Sequence, residues 1–367
     1  MNILADKYLY KVNELIPLNL NLDLFNPDQG LPKSVSQYDG LLVRTVIPIN
    51  KKTLPDTGNI RFIGTASAGF DHLDLNYLKG RGIYSANSAG CNANAVAEYV
   101  ITALYKWAEE KKADLQRKKI GIIGCGHTGS ALSAYLQKLK LNTVLYDPPE
   151  AERNANFRSA TLDELLQCDI LSFHTPLTTT GSHPTLHMCD FTWLKNGFDL
   201  IINAARGGVV CEKDLKGAWA EKLVKDYVLD VWEQEPFFSD EMARNAFIAT
   251  PHIAGYSEEA KTRATGMIVT QLADFFELDN RPRANFTEEK KSANPNGNTS
   301  LADFLWKHHK IKDYDRELRE LINLESEKKG SCFAKVRSET ELRIEFRTMV
   351  QWFNRKSIPE AFSVLFG

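Results

Sequence analysis

The sequence predicts an α/β protein built on two parallel sheets. Three observations carry that expectation. Short apolar β-type runs alternate with polar or helical pieces through the first hundred residues. An apolar run, Lys119-Ile120-Gly121-Ile122-Ile123, leads directly into Gly124-Cys125-Gly126-His127-Thr128-Gly129. A second strand–helix series then continues to about residue 250.

In the first series the strands are expected over 2–5, 22–25, 41–43, 62–64 and 83–85, with a helix over 73–79 among them. Residues 95–108 hold no Gly or Pro and predict a long, largely buried helix. Charged residues crowd 109–112 and 117–119, as a solvated connection requires. The second series is expected to place strands over 119–123, 143–146, 170–173, 200–203, 227–229 and 247–249. A further helix is expected over 265–278, where Met267, Ile268, Leu272, Phe275 and Phe276 are apolar. Residues 279–300 are rich in Asn, Pro, Lys and Glu and read as an exposed linker. The remainder has apolar residues enough to pack.

Composition narrows the function classes. Lys and Arg number 45 against 47 Asp and Glu, which argues against a broad basic face for nucleic acid or anionic lipid. A chain 43% hydrophobic and 25% charged is too apolar for a disordered protein. No run approaches the 18 apolar residues of a membrane helix, and the first residues reach Asp6 without a basic, then apolar, leader. The six cysteines form no C-x-x-C pair, so reduced thiols in a cytoplasmic protein are expected, with no metal.

The glycine segment has the context that a dinucleotide fingerprint needs. A strand precedes it, and Leu132, Tyr135, Leu136 and Leu139 line one face of the helix that follows. Gly124 permits the tight turn, Gly126 lets backbone approach a pyrophosphate, and Gly129 lets helix pack on strand. His127 and Thr128 open the helix, whose free N–H groups face the phosphate. The next strand ends at Asp147, a carboxylate suited to ribose hydroxyls and repulsive to a 2′-phosphate. Pro148 and Pro149 follow it rather than Arg or Lys, so NAD is expected over NADP.

The ends of the later strands collect chemistry. They carry His174-Thr175-Pro176, then Ala204-Ala205-Arg206-Gly207-Gly208, then Asp230 to Pro236, then Thr250-Pro251-His252. In open α/β sheets ligands sit beyond these ends. The set suits oxidation of a 2-hydroxy acid. Arg206 offers a planar fork for the carboxylate and the forming carbonyl. His252 offers a base near neutral pH, with Glu235 to orient its ring. Asp230 is expected on the nicotinamide side.

Those motifs together resemble the NAD-dependent D-2-hydroxyacid dehydrogenase family over about residues 1–280. Further segments resemble a branch acting on 4-phospho-D-erythronate in pyridoxal 5′-phosphate synthesis. They are Val43-Arg44-Thr45, Gly64 to His72, Ser88 to Val100, Gly255-Tyr256, Arg343-Ile344-Glu345-Phe346 and the terminal Phe366-Gly367 region. The resemblance implies a Rossmann-type NAD domain (95–264) inserted in a flavodoxin-like substrate domain (1–94 and 265–282). It also implies a linker and a small C-terminal α+β dimerisation domain (283–367). It assigns catalysis to Arg206, Glu235 and His252, with His252 as acid/base. NAD contacts fall to Asp147, Thr175, Ala204, Ala205, Asp230 and Gly255, and substrate contacts to Thr45, Ser67 and Tyr256. Arg44, with the Thr45 and Ser67 hydroxyls, is the expected holder of the substrate phosphate. The implied partners are a small anionic substrate and a second copy of the chain, with neither nucleic acid nor membrane. A glycerate, lactate or phosphoglycerate enzyme of the family, or a nucleotide-sensing binding protein, remains an alternative.

Overall fold

The computed structural model describes residues 1–278, 300–351 and 358–367. The expected linker over 279–300 lies outside the described residues except for Ser300. The chain divides into two compact units. One comprises residues 1–92 with the segment from 257 onward; the other comprises 93–256 with the C-terminal residues.

In the first unit, strands β1 (Asn2–Asp6), β2 (Asn21–Phe25), β3 (Gly40–Val43), β4 (Phe62–Thr65) and β5 (Tyr84–Asn87) form one sheet. All pairs are parallel, in the order β2-β1-β3-β4-β5. This is the flavodoxin-like order. Helix Glu258–Phe275 covers one face, burying Ile268, Val269 and Leu272 against Ile3, Leu42 and Phe62. It starts seven residues before the expected 265. The Ser257 hydroxyl caps it by accepting from the Ala260 N–H, and Glu258 and Glu259 favour its positive end. The buried face of that first stretch is made of Ala260, Thr262 and Ala264, small residues that leave little apolar periodicity.

The second unit holds β6 (Lys119–Ile123), β7 (Asn142–Tyr146), β8 (Ile170–Phe173), β9 (Phe198–Asn203), β10 (Val224–Leu229) and β11 (Ile248–Ala249). They pair in parallel in the order β11-β10-β9-β8-β6-β7. The strand order reverses at β6, which β7 and β8 flank. That reversal opens a crevice beyond the strand ends, the usual seat of a ligand. Helix Ala93–Lys111 buries Ala95 to Leu104 almost without a break, matching its lack of polar periodicity.

The C-terminal residues pack into this second unit. They are helical: Leu301–His309, Ile311–Glu320, Ser326–Glu339, Phe346–Met349 and Glu360–Phe366, with no strand among the described residues. The helical part of the expected α+β segment is thus what the described residues contain. Ala302, Phe304, Leu305 and His309 bury one helical face. The segment Leu342 to Phe346 alternates apolar and charged residues and is not a strand. Its polar groups are taken instead by buried Glu98, which pairs with Arg343 at 2.5 Å and accepts from the Phe346 N–H at 2.9 Å. Arg343 also donates to the Ala95 carbonyl, and Phe366 packs on Tyr135, Phe346 and Phe362. The residues that carried the resemblance to a dimerisation segment therefore lie in the chain's own core. All six cysteines are free, five of them buried. Among the described residues no helix is long and apolar enough to cross a membrane.

Candidate active site

The loop after β6 places each fingerprint glycine in a different environment. Gly124 has φ +85°, and a Cβ there would strike Thr175 and the His174 backbone at 2.8–2.9 Å. Gly129 lies so close to the loop that a Cβ would sit 1.9 Å from the Gly124 carbonyl oxygen. Gly126 caps helix His127–Lys138, and a Cβ there would meet nothing within 4 Å. That open face before a helix N-terminus is a fitting seat for a pyrophosphate.

Asp147 ends β7 and stitches the loop in place. One carboxylate oxygen accepts from the Cys125 N–H at 2.7 Å, the other from the Glu150 N–H at 3.0 Å, where it caps helix Pro148–Arg153. Each oxygen keeps further acceptor capacity. Across the loop, the Thr175 hydroxyl is buried and has no hydrogen-bond partner. An orphaned hydroxyl beside an open helix end fits a polar ligand such as a dinucleotide. His174, on the same strand end, is half-buried with its Nε2 at 2.9 Å from the Ser172 hydroxyl. Burial pushes its pKa down to about 3, so it is neutral and serves the loop wall.

The loops after β9, β10 and β11 hold one another. Asn203 at the end of β9 accepts from the Ala205 N–H and donates to the Arg206 carbonyl, fixing the turn that presents Arg206. Arg206 Nη1 donates back to the Ala205 carbonyl at 2.9 Å. Gly207 abuts the Trp232 carbonyl, where a Cβ would lie 1.9 Å away. Trp232 is buried, and its N–H donates to Glu235 while its indole donates to the Thr250 carbonyl.

This packing brings Glu235 to His252. Glu235 Oε2 lies 2.8 Å from His252 Nδ1, and both side chains remain partly exposed. Burial pushes the Glu235 carboxyl up. The charge and hydrogen bond of His252, the charge of Arg337 and the Trp232 N–H outweigh burial and hold it below the usual carboxylate range. An ionised Glu235 accepts from Nδ1–H and leaves Nε2 as the proton-accepting nitrogen. His252 has φ +58°, and its N–H donates to the Asp230 carbonyl. The Asp230 carboxylate is buried and accepts from the Thr250 hydroxyl and the Ile253 and Ala254 N–H groups at 2.7–2.9 Å. Expected on the nicotinamide side, it binds the His252 loop with both oxygens. Burial raises its pKa despite these bonds. Gly255 follows in the same loop.

Sequence reasoning missed Arg337, which arrives from helix Ser326–Glu339. Its Nη2 donates to the Tyr256 hydroxyl at 3.0 Å, and its guanidinium lies 5.6 Å from that ring's centroid. A contact across 81 residues leaves no local signal.

In the first unit, Arg44 follows β3 with its Nε held by buried Asp6 at 2.7 Å and its guanidinium over Tyr8. Thr45, next to it, is exposed. Ser67 follows β4, donates to the Gly69 carbonyl and lies 3.2 Å from the Thr65 hydroxyl, which contacts His72 Nε2. Asp6, Thr65 and His72 had not been singled out from sequence.

Comparison with known proteins bears on the whole arrangement. Residues 94–254 match the family model for the D-isomer specific 2-hydroxyacid dehydrogenase NAD binding domain. A protein of Psychromonas ingrahamii called erythronate-4-phosphate dehydrogenase is 37% identical over 281 residues, 76% of this chain and 73% of its own length. One of the same name from Yersinia enterocolitica is 44% identical over 253 residues, 68% of this chain and 67% of its own. The NAD+-bound 3-phosphoglycerate dehydrogenase of Entamoeba histolytica shares the fold, with a TM-score of 0.62 at 22% identity over 78% of this chain and 99% of that one.

Proposed function

The chain belongs to the D-2-hydroxyacid dehydrogenase family of NAD-dependent oxidoreductases, and from that premise we propose that it oxidises 4-phospho-D-erythronate at C2 to the 2-oxo acid. The observation that carries the reading is the 2.8 Å contact between Glu235 and His252 Nδ1 at the end of the sheet that bears the fingerprint. NAD, when bound, supplies the acceptor for the hydride. The chain's own residues do the rest. Gly126 and the N–H groups of His127 and Thr128 receive the pyrophosphate, with Gly124 and Gly129 shaping the turn. Asp147 accepts from the ribose and disfavours a 2′-phosphate, while the Thr175 hydroxyl, Ala204, Ala205 and Gly255 line the remaining contacts.

Arg206 holds the substrate carboxylate and the carbonyl oxygen as it forms, through a planar pair of donors. His252 Nε2 takes the C2 hydroxyl proton. Glu235 stabilises the resulting imidazolium through Nδ1–H and keeps the ring oriented. Asp230 acts on the backbone that carries His252. Tyr256, Thr45, Ser67 and Arg44 complete the proposed substrate contacts. The two Nη groups of Arg44, which bond to nothing among the described residues, are free to donate to phosphate while Asp6 holds Nε.

The proposal extends to a role in pyridoxal 5′-phosphate synthesis, in the cytoplasm, as a homodimer. The resemblance of the C-terminal segment supports the dimer, and light scattering on the purified chain tests it. The deciding experiment for the substrate is a steady-state comparison of 4-phosphoerythronate, 3-phosphoglycerate and glycerate with NAD. The highest kcat/KM is expected for 4-phosphoerythronate. A preference for either other acid overturns the substrate, and no turnover of any 2-hydroxy acid overturns the catalytic reading.

A further inference from the structure

We propose that Arg337, supplied by the C-terminal helix Ser326–Glu339, binds the phosphate of the substrate together with the Tyr256 hydroxyl and so sets the preference for a phosphorylated acid. The inference rests on the substrate reading above and adds a residue that it lacks.

Arg337 is half-buried, and its Nε is sealed from solvent with no hydrogen-bond partner. Its ring contacts are Phe333 at 5.9 Å and Tyr256 at 5.6 Å. Among the described residues it makes one hydrogen bond, from Nη2 to the Tyr256 hydroxyl, and no ion pair. Other arginines packed by the C-terminal segment are neutralised. Arg343 pairs with Glu98, and Arg319 pairs with Asp315 and donates to the Ala243 and Ala246 carbonyls. Glu235 and Asp230 offset its charge through space and maintain the cation, while no carboxylate among the described residues occupies its donors directly.

Its position says which anion. Tyr256 lies four residues after His252, and Arg337 is close enough to Glu235 to help hold that carboxyl down. An anion on Arg337 therefore stands near the acid/base pair. Arg206 already serves the carboxylate end of a 2-hydroxy acid. A second cation beside the acid/base pair suits a second anionic group. Guanidinium with a phenol hydroxyl is a matched donor set for phosphate oxygens.

The test uses the full chain with Arg337→Gln and Arg337→Lys, each checked for an unchanged melting curve and NADH affinity. KM and kcat are measured for 4-phosphoerythronate and for unphosphorylated erythronate. Arg337→Gln is expected to raise KM for the phosphorylated acid by about 10- to 100-fold, the worth of a charged hydrogen bond, and to raise that for erythronate far less. Arg337→Lys, which keeps the charge without the fork, is expected to fall between, and it decides the matter if the Gln variant does not fold. Equal losses on both acids, or no change on either, overturn the proposal. Calorimetric titration with inorganic phosphate needs no turnover and separates the two readings. If the wild-type chain ignores 4-phosphoerythronate, the substrate reading fails. Phosphate binding weakened in the Gln variant then still supports the Arg337 assignment, and equal or absent binding in both proteins overturns it.

Discussion

The fingerprint loop and the surroundings of His252 stand at strand ends of one sheet, yet they are assembled in different ways. The loop is one contiguous stretch of chain: Gly129 abuts the Gly124 carbonyl five residues back, Gly124 abuts the strand end at His174 and Thr175, and Asp147 holds the Cys125 N–H. The His252 site is made by separated segments. Glu235 is 17 residues from His252, Asp230 reaches 23 and 24 residues to Ile253 and Ala254, and Arg337 reaches 81 to Tyr256. The loop is a shape cut in backbone, so it is sensitive to volume. The His252 site is a set of charges held by hydrogen bonds, so it is sensitive to proton inventory.

The largest effect expected from that contrast is at His252. His252→Ala removes the proton acceptor and is expected to lower kcat by about 10²- to 10⁴-fold, the usual worth of general acid–base catalysis. NADH affinity, read by fluorescence, is expected to stay within about twofold. A parallel loss of both would show that the two regions are not separable.

A pair of glycine substitutions tests the other side. Gly129→Ala places a methyl 1.9 Å from backbone oxygen and is expected to lower both the melting temperature and NADH affinity. Gly126→Ala meets no protein atom, so the fold is expected to keep its melting temperature while NADH binding weakens by about tenfold or more. Equal NADH affinity in Gly126→Ala and wild type would mean that the open face receives no phosphate.

The same contrast explains what was legible in the sequence. The strands, the fingerprint and Arg206, Glu235 and His252 could be read because apolar periodicity and local turn chemistry mark them. The early turns of helix Glu258–Phe275 could not, since alanines and threonines bury there without a large apolar stripe. The C-terminal helices hid for another reason. Their anchors, Arg343 on Glu98 and Arg319 on the carbonyls at the end of helix Asp240–Asn245, are charged residues whose placement depends on partners far along the chain. Asp230 was legible as a strand-end residue, whereas its hold on three donors of the 250–254 segment needed the folded backbone.

Asp230 gives a smaller prediction. Asp230→Asn replaces one acceptor oxygen by a donor, facing at least one buried N–H or hydroxyl with another donor. A buried group left unsatisfied costs about 1–3 kcal/mol, and the His252 loop bears it directly. The expected outcome is a lower melting temperature together with a fall in kcat that is smaller than that of His252→Ala. Full stability with a large rise in KM for NAD would instead make Asp230 a cofactor contact alone.

The smallest effect lies with Glu235 and appears only with pH. Its carboxyl is held below the ordinary value of 4.5, which His252, Arg337 and the Trp232 N–H achieve against burial. A carboxyl lowered on folding contributes stability that is fully present above its unfolded pKa. That contribution fades as pH falls through the lower, folded value. Glu235→Gln keeps the shape and removes the titration. The gap between wild type and variant is therefore expected to be open at about pH 5.5 and to close as the medium is taken below 4.5. Chemical denaturation across pH 3.5–7 reads this directly. A gap that widens toward acid would mean that the folded carboxyl prefers its proton, and Glu235 could then not serve as the anion beneath the His252 imidazolium.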